Sequence, residues 1–246
     1  MIEVINDTKI NYIDYGNPKG KPIVLLHGWG QNIDMMRPIG DKFVKDYRII
    51  ILDLPGYGNS EEPKYSWTVN DYCDAVHKLL TKLKVKNPIM IGHSFGGKIS
   101  LMYAGSHKVE KLILFGSPYK PEIEKLSLKT KILKKLKQEP RLNKLENWAK
   151  KHIGSDDYRN ASPRMREILV GTVNLDISDY VKKIDCPTLI VWGDLDDAVP
   201  LKRAYELESM IQNAGVVVYE GCTHYAYLER LGQTISVLRS FLVSEE

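Results

Sequence analysis

The chain has 246 residues, 43% of them hydrophobic and 27% charged, with 18 Gly, 12 Pro and 3 Cys. Those proportions exclude a disordered, collagen-like or disulfide-framed chain and leave room for one large α/β domain with a sizeable core. A formal charge of +4 is too small to imply a nucleic-acid partner unless it is concentrated in one region.

Ile2–Val4 and Ile10–Tyr15 read as two short strands joined by a turn at Asn6-Asp7. Met1-Ile2-Glu3-Val4 has neither the basic start nor the apolar run of a secretory signal. No apolar stretch approaches the roughly 18 residues of a membrane helix. Cys73, Cys186 and Cys222 are odd in number, widely spaced and form no CxxC, so neither a disulfide framework nor a structural zinc site is expected. The expectation is a cytoplasmic protein without a membrane segment.

Pro22–Leu26 is a continuous apolar run, as a strand buried on both faces of a parallel sheet would show. Similar runs follow at Tyr47–Leu52, Pro88–Ile91, Leu112–Phe115, Thr188–Trp192 and Gly215–Tyr219. The gaps carry helical patterns, among them Val69–Lys84 and Phe95–Ser106. Alternation of this kind predicts a mostly parallel sheet flanked by helices. The rhythm breaks after the sixth strand, where residues 119–183 read as several short helices without a convincing strand. That segment holds 16 Lys+Arg and 9 Asp+Glu, a net of +7, which leaves −3 for the rest. The predicted organisation is a core of residues 1–118 and 184–246 with residues 119–183 inserted.

The sharpest local signal is Gly92-His93-Ser94-Phe95-Gly96, followed by Gly97, between a strand and a helix. A tight strand-to-helix turn lifts its central side chain clear of the sheet and tolerates only tiny neighbours where strand and helix converge. Ser94 is therefore the candidate nucleophile. A serine hydroxyl needs a base and a carboxylate to orient that base. Of the six histidines, only His224 lies between the last strand and the C-terminal helix, and loops at the carboxyl ends of parallel strands gather active sites. The loop after Trp192 offers three carboxylates, Asp194, Asp196 and Asp197, among which spacing does not choose. His27-Gly28-Trp29-Gly30 ends the Pro22–Leu26 strand, where a small residue lets a backbone N–H approach a developing oxyanion together with the N–H of Phe95. The turn Asp53-Leu54-Pro55-Gly56-Tyr57-Gly58-Asn59-Ser60 carries no assigned catalytic role.

With these motifs in this order, the chain resembles the α/β-hydrolase fold serine esterases over nearly its whole length. The acid loop of that family commonly reads G-x-x-D-x-x-x-P, and the resemblance, laid on Gly193 and Pro200, selects Asp196. It further implies Trp29 and Phe95 as oxyanion-hole residues, residues 119–183 as a helical cap, and ester hydrolysis with no metal and no organic cofactor. His27-Gly28-Trp29-Gly30-x-Asn32 is most similar to the pimeloyl-acyl-carrier-protein methyl ester esterases of biotin synthesis. Small carboxylesterases carry His-Gly-Trp as well. This chain departs from the biotin-synthesis enzyme at His93, where that enzyme has tryptophan. The substrate implied is a small-molecule or carrier-bound ester. Arg141, Arg159, Arg164 and Arg166, with the lysine-rich stretch 129–137, are candidate contacts for an acidic acyl carrier protein; a solvated helix face is the alternative.

Other classes fit less well. Carbon–carbon bond hydrolysis and non-catalytic binding share the fold, but the second leaves a complete Ser94, Asp196 and His224 set without a purpose. For dinucleotide binding, the third glycine of GxGxxG fails after both Gly28-x-Gly30 and Gly56-x-Gly58, at Ile33 and Glu61. No H-E-x-x-H metal motif and no nucleic-acid recognition motif is present.

Overall fold

A computed structural model describes residues 1–122 and 161–243. The chain opens with strands β1 (Ile2–Ile5) and β2 (Thr8–Gly16), continues through β3 (Pro22–Leu26), helix α1 (Ile33–Gly40), β4 (Arg48–Leu52) and α2 (Val69–Lys82), and reaches β5 (Ile89–His93), α3 (Phe95–Ala104) and β6 (Lys111–Phe115). Beyond residue 160 come α4 (Pro163–Asn174), α5 (Ser178–Val181), β7 (Thr188–Gly193), α6 (Lys202–Met210), β8 (Ala214–Tyr219), α7 (Ala226–Glu229) and α8 (Leu231–Val243).

The strands form one eight-stranded sheet in the order β1-β2-β4-β3-β5-β6-β7-β8. The first two join antiparallel through Asn6 and Asp7, whose φ values of 49° and 56° match the right-handed twist of the flanking strands. From β4 across to β8 every pairing is parallel. The chain has the α/β-hydrolase fold expected from its sequence: a mostly parallel sheet with helices on both faces.

Side chains along each central strand alternate between two buried layers, so the strands read as unbroken apolar runs. Val24, Leu26, Ile50, Leu52, Met90, Leu112 and Leu114 pack with residues of α2, α3 and α6 on one face. Ile23, Leu25, Ile49, Ile51, Ile91, Ile113 and Phe115 pack with residues of α1 and α8 on the other. A one-residue slip of any strand would exchange these sets, so burial on both faces fixes the register.

That register aligns the strand ends. Leu26 pairs with both Leu52 and Gly92, His93 with Phe115, and Gly193 with Tyr219. The loops after β3, β4, β5, β6, β7 and β8 therefore leave the sheet along one edge.

Of the segment expected as a cap, residues 119–122 and 161–183 are described, and those described contain α4 and α5 and no strand. Its two ends meet where Ile177 N donates to Tyr119 O at 2.9 Å. Arg203 on α6 clamps the first end with bonds to Glu122 of 2.5 and 2.9 Å and also pairs with Glu206. Lys98 of α3, buried, holds the second end by donating to Thr172 O at 2.7 Å and Leu175 O at 2.6 Å. Thr172 O accepts only a long 3.4 Å bond from the cap residue Leu175, and an ammonium at this helix end supplies both carbonyls with a donor and complements the helix dipole. Among the described residues no helix is long and apolar enough to cross a membrane.

Candidate active site

The turn between β5 and α3 places Ser94 at φ 50° and ψ −112°, a region that L-residues avoid and that is held here from both sides. Ser94 N donates to Phe115 O at 2.9 Å on the neighbouring strand. Gly96 N donates to His27 O at 3.0 Å, and a Cβ on Gly96 would lie 2.3 Å from Leu26 O. Only glycine permits that approach of α3 to the end of β3. The strain is thus imposed by packing that the Gly-x-Ser-x-Gly spacing makes possible.

Two backbone N–H groups stand beside this turn. Phe95 is the first residue of α3, where a helix leaves its amide without an intrahelical acceptor. Trp29 lies in the loop after β3. Among the described residues, neither N–H has a protein acceptor. The Trp29 ring meets those of Phe95 and Tyr57, each with centroids 5.3 Å apart, so an apolar aromatic wall flanks the two amides.

On the other side, Asp196 and His224 come together across the ends of β7 and β8. His224 Nδ1 lies 2.7 Å from Asp196 Oδ2, with the carboxylate side chain 1% exposed and the imidazole 12% exposed. The second carboxylate oxygen, Oδ1, accepts from Ala198 N at 2.9 Å and Val199 N at 2.8 Å. Two peptide donors thus fix the carboxylate so that its remaining oxygen faces the imidazole. Trp192 Nε1 donates to Val199 O at 2.9 Å and closes the acid loop. Asp194 and Asp197 are exposed, and Asp194 accepts instead from Gly221 N at 2.7 Å. Of the three carboxylates that spacing left open, Asp196 is the one that bonds to the imidazole.

Beneath this pair runs Gly116, at φ +51°; a Cβ there would stand 2.9 Å from His224 Nδ1 and 3.2 Å from Asp196 Oδ2. Sequence reading passed over Gly116 because it bears no functional group. Its position after a buried strand, ahead of Ser117-Pro118, was the available signal.

The remaining histidines divide by their surroundings. His27 accepts from Leu54 N at Nε2, 2.9 Å, and donates from Nδ1 to Gly28 O, 2.7 Å, a pattern that only the neutral ring satisfies. Burial, partly offset by the Gly28 carbonyl and Asp53, pushes its pKa down to about 4. His77 and His107 stack at 3.9 Å on α2 and beyond α3, away from the loops that carry Ser94 and His224. His152 lies outside the described residues. Asp53 is buried and accepts from Ile33 N, Asn59 N and Asn11 Nδ2, each at 2.8 Å. It ties the start of α1 to its own turn, an architectural role that leaves the sequence motif without direct chemistry.

The basic residues expected to meet a carrier are only partly in view. Arg164 pairs with Glu62 at 3.4 Å, and Arg166 sits on the same helix, α4. Arg141, Arg159 and the lysine-rich stretch 129–137 lie outside the described residues. Among the described residues, no three His, Cys, Asp or Glu side chains group as metal ligands would.

Comparison with known proteins agrees with this fold. The sequence pattern of the alpha/beta hydrolase fold family matches residues 21–138. The chain is 26% identical to the pimeloyl-[acyl-carrier protein] methyl ester esterase of Aliivibrio fischeri, over 91% of this chain and 94% of that protein. Among solved structures it is similar to an esterase from Exiguobacterium antarcticum, at 26% identity and a TM-score of 0.77 over 99% of this chain and 98% of that one. It is also similar to a bromoperoxidase from Bacillus anthracis, at 25% identity and a TM-score of 0.80 over 99% of both chains. The chain thus shares the α/β-hydrolase fold with these proteins.

Proposed function

We propose that this protein is a serine esterase that cleaves carboxylic esters through an acyl-enzyme, with Ser94 as nucleophile, His224 as general base and Asp196 as the group that orients it. The observation that carries this reading is the 2.7 Å Asp196–His224 pair on the same sheet edge as the strained Ser94. His224 removes the hydroxyl proton as Ser94 attacks the ester carbonyl, and Asp196 holds the proton of Nδ1 so that Nε2 is the basic nitrogen. The N–H groups of Trp29 and Phe95 receive the oxyanion, each such donor being commonly worth on the order of 10²–10³ in rate. His224 then gives its proton to the departing alcohol, and water attacks the acyl-enzyme with the same histidine as base.

The test uses a short p-nitrophenyl ester and a fluorophosphonate. Hydrolysis by the unaltered chain and labelling on Ser94 are expected, both abolished in Ser94→Ala. Turnover retained in that variant would overturn the assignment.

The finer reading is that the substrate is the methyl ester of an acyl chain borne by an acidic carrier protein. The name of the Aliivibrio fischeri relative and the +7 charge of residues 119–183 support it. A carrier-bound methyl ester should then be cleaved with higher kcat/KM than the same ester free in solution, and salt should remove the advantage. Equal rates at low salt would reduce the function to general small-molecule carboxylesterase activity.

A further inference from the structure

His93, immediately before Ser94, is fully buried and spans two loops. Its Nε2 lies 3.1 Å from the backbone oxygen of His224, and its Nδ1 lies 3.2 Å from Gln31 Oε1. Its ring also packs on those of His224, Tyr225 and Tyr227, with centroids 4.8, 5.3 and 4.8 Å away. On the far side, a Cβ at Gly28 would come within 2.8 Å of Nδ1. One imidazole thus touches the loop after β3, which carries Trp29, and the loop after β8, which carries His224.

Both neighbours of the ring are acceptors. Gln31 Oε1 already accepts from Gly28 N at 3.0 Å, which fixes the oxygen of that amide toward His93. A neutral imidazole has one N–H, and burial beside His224 and His27 holds His93 neutral by driving its pKa well below the usual range. The ring can therefore donate to only one side. Among the described residues, the carbonyl of His224 receives no donor other than His93 Nε2, whereas Gln31 Oε1 keeps the Gly28 amide. An orphaned carbonyl there would carry the full cost of a lost bond, so the proton belongs on Nε2.

We propose that His93 is a positioning residue: its Nε2–H holds the backbone carbonyl of His224, and so holds the imidazole of that residue in place over Ser94. The role rests on the esterase reading above, because it acts through His224. It is distinct from the elbow geometry, which requires only that the residue before Ser94 fit. With the proton on Nε2, Nδ1 makes no hydrogen bond to Gln31 Oε1, and the bond that matters is the one at Nε2.

Glutamine and asparagine separate the two sides. Glutamine carries its amide N–H near the position of Nε2, asparagine near that of Nδ1, and phenylalanine keeps a ring with neither. The experiment compares His93→Gln, His93→Asn and His93→Phe by the rate of fluorophosphonate labelling of Ser94 and by kcat and KM on a p-nitrophenyl ester, with thermal melts to establish the folded fraction. Displacing a catalytic group by about 1 Å can cost roughly 100-fold in rate. His93→Asn and His93→Phe should label and turn over roughly 10–100-fold more slowly with KM within about 2-fold, while His93→Gln stays within about 3-fold of the unaltered chain. Asparagine and phenylalanine variants reacting at the unaltered rate would overturn the proposal, and so would a glutamine variant as slow as phenylalanine. Should His93→Phe fail to fold, the glutamine–asparagine comparison decides alone. Absence of labelling in the unaltered chain would instead overturn the esterase reading itself, and this role with it.

Discussion

Gly116 passes so close to His224 that the imidazole rests where a larger residue would place its Cβ, 2.9 Å from Nδ1. Alanine at this position meets two penalties. Its φ of +51° costs an L-residue about 1–2 kcal/mol, and its methyl group pushes the imidazole away from Asp196. Gly116→Ala should leave the protein folded with a modestly lowered melting temperature and reduce kcat on the order of 100-fold. Labelling of Ser94 at the unaltered rate in folded protein would show that the imidazole tolerates the intrusion.

The acid loop gives a sharper comparison. Asp196 spends one oxygen on the Ala198 and Val199 amides and offers the other to His224, while Asp197 is exposed. Asparagine at 196 either turns its NH₂ toward the imidazole, which forces the wrong tautomer, or turns it toward the two loop amides. Asp196→Asn should lower kcat on the order of 10⁴-fold, and Asp197→Asn should stay within roughly 2-fold, as for an ordinary surface change. If the two variants behave alike in steady-state kinetics, Asp196 is not the orienting carboxylate.

The order of elements was legible because burial on both faces turns each central strand into an apolar run. The limits of that signal show at β5, which continues past Ile91 through Gly92 and His93 because they pair with Leu114 and Phe115. Apolarity does not reveal pairing by a glycine and a histidine. Helix α1 carries Pro38 and is only eight residues long, so it left no clear pattern. The choice of Asp196 needed a resemblance, since its reason lies in two amides whose direction the sequence does not encode. Contacts of long range stayed hidden altogether: His93 meets a carbonyl 131 residues away, and Lys98 one 74 residues away. Fold likeness stops short of substrate as well, for the solved relatives include both an esterase and a bromoperoxidase.

His27 makes stability depend on acid. With its pKa at about 4 in the folded chain and roughly 6.5 when unfolded, the unfolded state binds more protons between those values. Stability contributed by the neutral ring is therefore present above about pH 6.5 and is lost as pH falls toward 4. His27→Gln keeps an acceptor for Leu54 N and gives up the bond to Gly28 O. It should be about 1 kcal/mol less stable at pH 7, and the gap to the unaltered chain should shrink as pH drops from 6.5 to 4. Denaturant melts at several pH values measure it; a gap independent of pH would mean that His27 is not neutral in the fold.

Lys98 works in the opposite pH range. Burial lowers its pKa to about 8, with Asp176 opposing, against roughly 10.4 in the unfolded chain. Between those values the unfolded state holds the proton more often than the folded state. Folding stability therefore rises with pH across that window and is flat in this respect below it. Methionine matches the length of lysine and cannot donate to Thr172 O or Leu175 O. Lys98→Met should cost about 1–2 kcal/mol at pH 7, because Leu175 O loses its ammonium donor and Thr172 O keeps only the long bond from Leu175 N. The difference in stability between the unaltered chain and Lys98→Met should stay constant from pH 6 to 8 and widen from 8 to 10. Taking the difference cancels Cys73 and Cys186, whose thiols burial pushes up to about 12 and about 11, since both proteins share them. A gap that instead stays flat to about pH 10 and closes above it would show that the two carbonyls and the helix dipole outweigh burial and hold Lys98 charged beyond its ordinary range.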